Sequence, residues 1–230
     1  MKRTGLRRTL LIGVLAFGAL LVGATIASAD HSWNGYHWPD GNLSPTVVNE
    51  SAPTDVFDVP AAVQEWAALA TPIQPGMASG STGDVEVVMK RMNARWLGVA
   101  RIWVGDADHI QRGRVELNQL YLNSLTLDEW DHVLCQELGH IWGLGHNPDG
   151  ATGGTLDDTC MNGAEHLGDY TSPNSHDTDQ LNLIYNHTDV SDGGGDDGGG
   201  GGNCPPGNPN HKNCLSAGGR WITVHVFPAP

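Results

Sequence analysis

Apolar residues recur at steps of three and four between positions 127 and 142. Leu127, Trp130, Leu134, Leu138 and Ile141 fall on one stripe with polar residues around it, and that period predicts a core-facing helix. Thr126-Leu-Asp-Glu129 marks its start as a capping box, with Thr126 as N-cap and Glu129 at the third helical position. Asp128, Glu129 and Asp131 place negative charge where the helix dipole favours it. Upstream the pattern shifts to runs rich in β-branched and aromatic residues, at 84–92, 97–104 and 113–122. These predict three strands, the last with clear alternation. Before them, 58–70 reads as a short helix. Asp58 caps it, Pro60 lies in its first turn, and Val63, Trp66, Leu69 and Ala70 face inward. Thr71-Pro-Ile-Gln-Pro-Gly76 breaks it. A last helix is predicted at 176–186, capped by Asp177, with Leu181, Ile184 and Tyr185 packing inward. A helix, then strands, then helices predict an α+β (α/β layered) domain.

The flanks divide the rest. Lys2, Arg3, Arg7 and Arg8 precede an apolar run from Leu10 to Ile26 and Ala27-Ser28-Ala29. This is the pattern of a cleaved signal peptide over 1–29. The Arg7-Arg8 pair raises a twin-arginine route, and an uncleaved anchor is the alternative. Residues 30–57, rich in Pro, Asn, Asp and Trp, read as an extended lead-in whose His31 and His37 are surface residues. The domain proper is expected at 58–190. Residues 191–203, almost wholly Gly and Asp, have no apolar group to drive ordering and read as a flexible linker. Residues 204–230 form a tail with an apolar β-like run, Trp221-Ile-Thr-Val-His-Val-Phe227. It is too short for its own core, and is expected to dock back on the domain or on a cell-surface partner.

Composition narrows the setting. The net charge of −14 argues against nucleic acid or an anionic membrane as partner. Beyond the N-terminal run, no stretch is apolar enough to span a bilayer. The four cysteines, Cys135, Cys160, Cys204 and Cys214, suggest two disulfides in an exported chain. Of three available pairings, Cys135–Cys160 with Cys204–Cys214 is favoured on proximity. A thiolate zinc site is disfavoured, since no C-x-x-C pair exists. Asp149, Asp157 and Asp158 have oxygen donors for calcium, but their spacing is not that of an EF-hand. Solvated turn acids are the plainer reading.

The predicted helix carries the chemistry. From Gln136 the chain reads Q-E-x-x-H-x-x-G-x-x-H, ending at His146. Gln136 and His140 are four residues apart and share a helix face, with Glu137 one step round. Gly143 suits a sharp helix end, which would turn the chain back and bring His146 to the same point. Three protein ligands with one open position is the catalytic zinc arrangement.

With His in place of Gln136, this motif is the long zinc signature of the metzincin metalloproteases, and 84–187 resembles that family. Thr159-Cys-Met161 looks like its Met-turn, and 175–185 is similar to its last helix. The resemblance implies a zincin fold: a twisted, mostly parallel sheet packed on the active-site helix, with Met161 under the metal and a C-terminal helix. It implies a secreted zinc endopeptidase acting on protein or peptide substrates, with Glu137 as general base and His140, His146 and Gln136 as metal ligands. The chain resembles exported bacterial members that carry C-Q-E-x-G-H in place of the usual H-E-x-x-H.

It departs from the family twice. Gln136 is a neutral oxygen donor, poorer for zinc than imidazole. Gly163 stands where some members have Tyr, a place Tyr170 is the candidate to fill. Among substitutes for the third ligand, His132 lies two turns from His140, about 12 Å away on a helix, while His166 and His176 are open. The alternatives to an enzyme are an inactive metzincin fold used as an extracellular binding module, or a surface protein working through its tail.

Overall fold

The computed structural model describes residues 32–105, 108–147, 158–163, 166–187 and 219–229. The expected signal peptide, the 191–203 linker and a Cys204–Cys214 disulfide lie outside these residues, as do His31, Asp149 and Asp157.

Six strands form one sheet, in the order β2-β1-β3-β5-β4-β6. They are β1 (Thr46–Asn49), β2 (Gly76–Met77), β3 (Val85–Lys90), β4 (Trp96–Val104), β5 (Ile110–Asn118) and β6 (Arg220–Pro228). The pairs β1–β2, β1–β3 and β3–β5 are parallel; β4 runs antiparallel to both β5 and β6. Among the described residues, three α-helices accompany the sheet: α1 (Val59–Ala67), α2 (Leu127–Ile141) and α3 (Ser175–Ile184). This is the mixed α/β architecture with a mostly parallel sheet that the sequence predicts.

Local chemistry explains the elements. Asp58 Oδ1 accepts from Ala61 N at 2.9 Å and starts α1. The capping box of α2 is complete: Thr126 N donates to Glu129 Oε2 at 2.7 Å, and Glu129 N donates to Thr126 Oγ1 at 3.3 Å. Trp130, Leu134, Leu138 and Ile141 are fully buried. Leu127, expected in the same stripe, is 58% exposed at the first helical position, before the stripe reaches the sheet. Val63 and Trp66 are buried, whereas Ala70 is exposed beyond the end of α1.

Three expectations change. The third strand begins earlier, at Ile110, and ends at Asn118, whose Oδ1 accepts from Leu120 N at 3.1 Å. That bond turns Gln119–Tyr121 into a 3-10 turn. The cap of α3 is Asn174 rather than Asp177; Asp177 sits at the third helical position and closes a capping box. Thr46–Asn49, inside the supposed lead-in, is an interior strand of the sheet. Four residues are too few to show a period, and tertiary bonds fix them: Asp84 Oδ2 accepts from Thr46 N and Oγ1 at 2.7 and 2.8 Å. Of the two courses expected for the tail, it takes the first and docks on the domain: it supplies β6, in register with β4 so that His225 lies opposite Ala100 and Val226 opposite Val99. Val224 and Phe227 join the common core.

Candidate metal centre

α2 carries Gln136, Glu137 and His140, all buried. The chain leaves the helix through Gly143, just beyond the C-cap Trp142; its φ of +99° is left-handed backbone, and a Cβ there would lie 2.5 Å from Tyr36 O. Trp33 N donates to Gly143 O at 2.8 Å, so the N-terminal segment straps this turn. The reversal returns His146 beside His140, with ring centroids 5.0 Å apart.

A third imidazole joins them from the far end of the chain. His225 on β6 has its ring 4.3 Å from that of His140 and 4.4 Å from that of His146. One ligand atom from each of the three lies within 4.8 Å of the others. His140 and His225 are buried and His146 is exposed.

The hydrogen bonds orient the rings. His140 Nδ1 lies 2.8 Å from Leu144 O, so Nδ1 carries the proton and Nε2 keeps its lone pair. His225 Nδ1 lies 2.9 Å from Glu137 Oε1 and donates to it, leaving its own Nε2 as the basic nitrogen. A ring N–H held by a carbonyl or carboxylate is the usual support of a metal-binding histidine. The other carboxylate oxygen, Glu137 Oε2, is buried and takes no hydrogen bond among the described residues. A buried, half-satisfied carboxylate is costly. A divalent cation with a water beside this oxygen would satisfy it. The donor set, three imidazole nitrogens, suits zinc.

Gln136 turns its amide nitrogen toward the segment 160–162. Its Nε2 donates to Cys160 O at 2.9 Å and to Asn162 O. Two carbonyl partners require the amide NH2 on that side, so the side chain clamps the 160–162 turn to α2. The disulfide Cys135–Cys160 ties the same two segments, with Cα atoms 6.0 Å apart, as the sequence favoured. Met161 is buried under α2, where a Cβ on Gly139 would collide with its Sδ. Asn147, directly after His146, donates from N to Met161 O at 2.9 Å and from Nδ2 to Asn162 Oδ1 at 3.1 Å. Thr159 Oγ1 donates to Asp177 Oδ2 and accepts from Met161 N at 3.1 Å, fastening the turn to α3.

The remaining candidates sit elsewhere. His166 is paired with Asp169 at 3.6 Å and packs against Tyr170 at 6.1 Å. Neither His166 nor His176 belongs to the three-imidazole group. Of the acids considered for calcium, Asp158 is exposed, and no described carboxylate joins the metal-ligating group. Sequence reasoning missed His225. The available signal was a single histidine inside an otherwise apolar, alternating run.

His132 is fully buried, and its Nδ1 accepts from Gly168 N at 3.2 Å. Burial holds its pKa down at about 4. In the unfolded chain it protonates near 6.5, so the unfolded state binds that proton first. Its contribution to stability is whole above about 6.5 and is lost as the pH falls through 4. Asp177 opposes it. Burial raises its carboxyl to about 6, so acidification from about 6 to 4 favours the fold. At about 1.4 kcal/mol per pH unit, each effect is on the order of 3 kcal/mol, and they largely cancel. His132→Asn, whose Oδ1 can take the Gly168 bond, is expected to be more stable relative to wild type at pH 5 than at pH 7. Urea midpoints at the two pH values measure this, and an unchanged difference would contradict it.

A mostly parallel sheet packed on a helix, with three converging imidazoles beside a buried carboxylate, defines a candidate mononuclear metal centre. No protein-family model and no curated protein matches the chain. Among solved structures it is similar to that of myroilysin, at 17% identity over 50% of this chain and 54% of that one, with a TM-score of 0.35. The chain thus spans about half the length of that protein, and at this level of likeness the functional reading rests on the residues themselves.

Proposed function

We propose that this protein is a secreted zinc-dependent peptidase whose metal is held by His140, His146 and His225. The observation that carries the reading is the convergence of these imidazoles beside Glu137. Zinc bound there would polarise a peptide carbonyl and lower the pKa of a water. The chain's residues do the rest. His225 Nδ1–H holds Glu137 Oε1 in place. Glu137 Oε2 takes the proton of the attacking water and later delivers it to the departing amine nitrogen. Water oxygen thereby joins the carbonyl carbon as the C–N bond breaks.

The reading of Gln136 changes with this assignment: it positions the Met-turn, and His225 takes the third ligand place. Export is supported by the basic and apolar N-terminal pattern with its A-x-A site and by the Cys135–Cys160 bond. No helix among the described residues is long and apolar enough to cross a membrane. A second reading, a non-catalytic extracellular binding module, is favoured by the packing of β6 along β4 beside the site.

Cleavage of a peptide library by purified protein separates the two. The peptidase reading expects turnover that a chelator abolishes and zinc restores. Chelator-resistant turnover, or none from zinc-loaded protein, would contradict it.

A further inference from the structure

A second cluster of imidazoles lies outside this centre, and the peptidase reading makes no use of it. His37 comes from the N-terminal segment, His109 from just before β5 and His187 from just beyond α3. The His37 ring centroid is 4.9 Å from that of His109 and 4.5 Å from that of His187. His37 Nε2 and His187 Nε2 are 3.1 Å apart.

The local backbone fixes this arrangement. Ile110 N donates to His37 O at 2.7 Å, and His37 and His109 form an isolated parallel bridge. His37 Nδ1 lies 2.8 Å from Gly35 O and donates to it, which leaves Nε2 as a lone pair facing His187. Next to this pair Tyr185 is anchored, its hydroxyl donating to Trp142 O at 2.8 Å. Two imidazole nitrogens about 2.0–2.1 Å from one zinc, at a tetrahedral angle, are roughly 3.3 Å apart. The observed 3.1 Å is close to that spacing. A carbonyl-held Nδ1–H is again the support a ligating histidine needs.

We propose that His37 and His187, with His109 packed beside them, form a second binding site for a borderline divalent metal such as Zn2+, Ni2+ or Cu2+. The site clips the N-terminal segment to the end of α3. Water completes the coordination, since His187 is exposed. Imidazole donors without thiolates select these ions over calcium or magnesium.

Zinc titration of stripped full-length protein against a competing chelator tests the proposal. Wild type is expected to take up two equivalents, the second raising the melting temperature. His37→Ala and the milder His187→Gln should each take up one. His140→Ala should retain the one held by His37 and His187, so failure of the peptidase reading is seen separately. Cobalt spectra of the same samples assign each equivalent. Failure of His140→Ala to bind any zinc overturns the proposal. So does a second equivalent that survives His37→Ala and His187→Gln, which means the imidazoles share only a hydrogen bond.

Discussion

His225→Ala is expected to weaken zinc binding by more than about 100-fold and to abolish peptidase activity with it. Loss of a group that merely supports a ligand costs roughly 10- to 100-fold in metal affinity, and loss of a ligand itself should exceed that. The substitution leaves His140 and His146, two donors with water between them. It also removes the Nδ1–H that holds Glu137 Oε1 at 2.9 Å, so the carboxylate loses its bond as well as its metal. The fold should persist, because β6 is held along β4 by its backbone register and by Val224 and Phe227 in the core. Circular dichroism and chelator competition measure the two outcomes on one sample. Gln136→His in the His225→Ala background sharpens the test. A histidine one turn before His140 can reach the same metal, so partial recovery of binding is expected, at the cost of the clamp on Cys160 O and Asn162 O.

Glu137→Gln is expected to keep the metal and lose the activity. The glutamine oxygen can still accept from His225 Nδ1, so the third imidazole stays oriented. Its amide nitrogen cannot take a proton from water. General-base catalysis contributes about 100- to 10,000-fold, and kcat should fall by that scale with zinc affinity within a few-fold of wild type. Turnover within a few-fold of wild type would remove Glu137 from the mechanism.

What the sequence revealed of this site follows the range of its interactions. The capping box, the helix stripe and the Gly143 turn are local, and each was legible from neighbours a few residues apart. The Cys135–Cys160 bond was legible from the proximity of the two cysteines along the chain. His225 was not, because nothing local marks a histidine in a tail strand as facing a helix 88 residues earlier. Only the pairing of β6 with β4 brings it there. The hydrogen bonds of Gln136 were hidden for a related reason. Helical spacing set this residue one turn before His140, but the direction of its amide nitrogen was decided by carbonyls some 24 residues on. Thr46–Asn49 failed through brevity, since four residues carry no period and their place depends on Asp84.

The coordination shell of bound zinc tests the central claim most directly. X-ray absorption on protein loaded with one equivalent should show three imidazole nitrogens at about 2.0–2.1 Å and a light-atom fourth ligand. His225→Ala should show two, and Gln136→Ala should still show three. Three imidazoles retained in His225→Ala would contradict the assignment, and so would a wild-type shell of two imidazoles with an oxygen lost in Gln136→Ala.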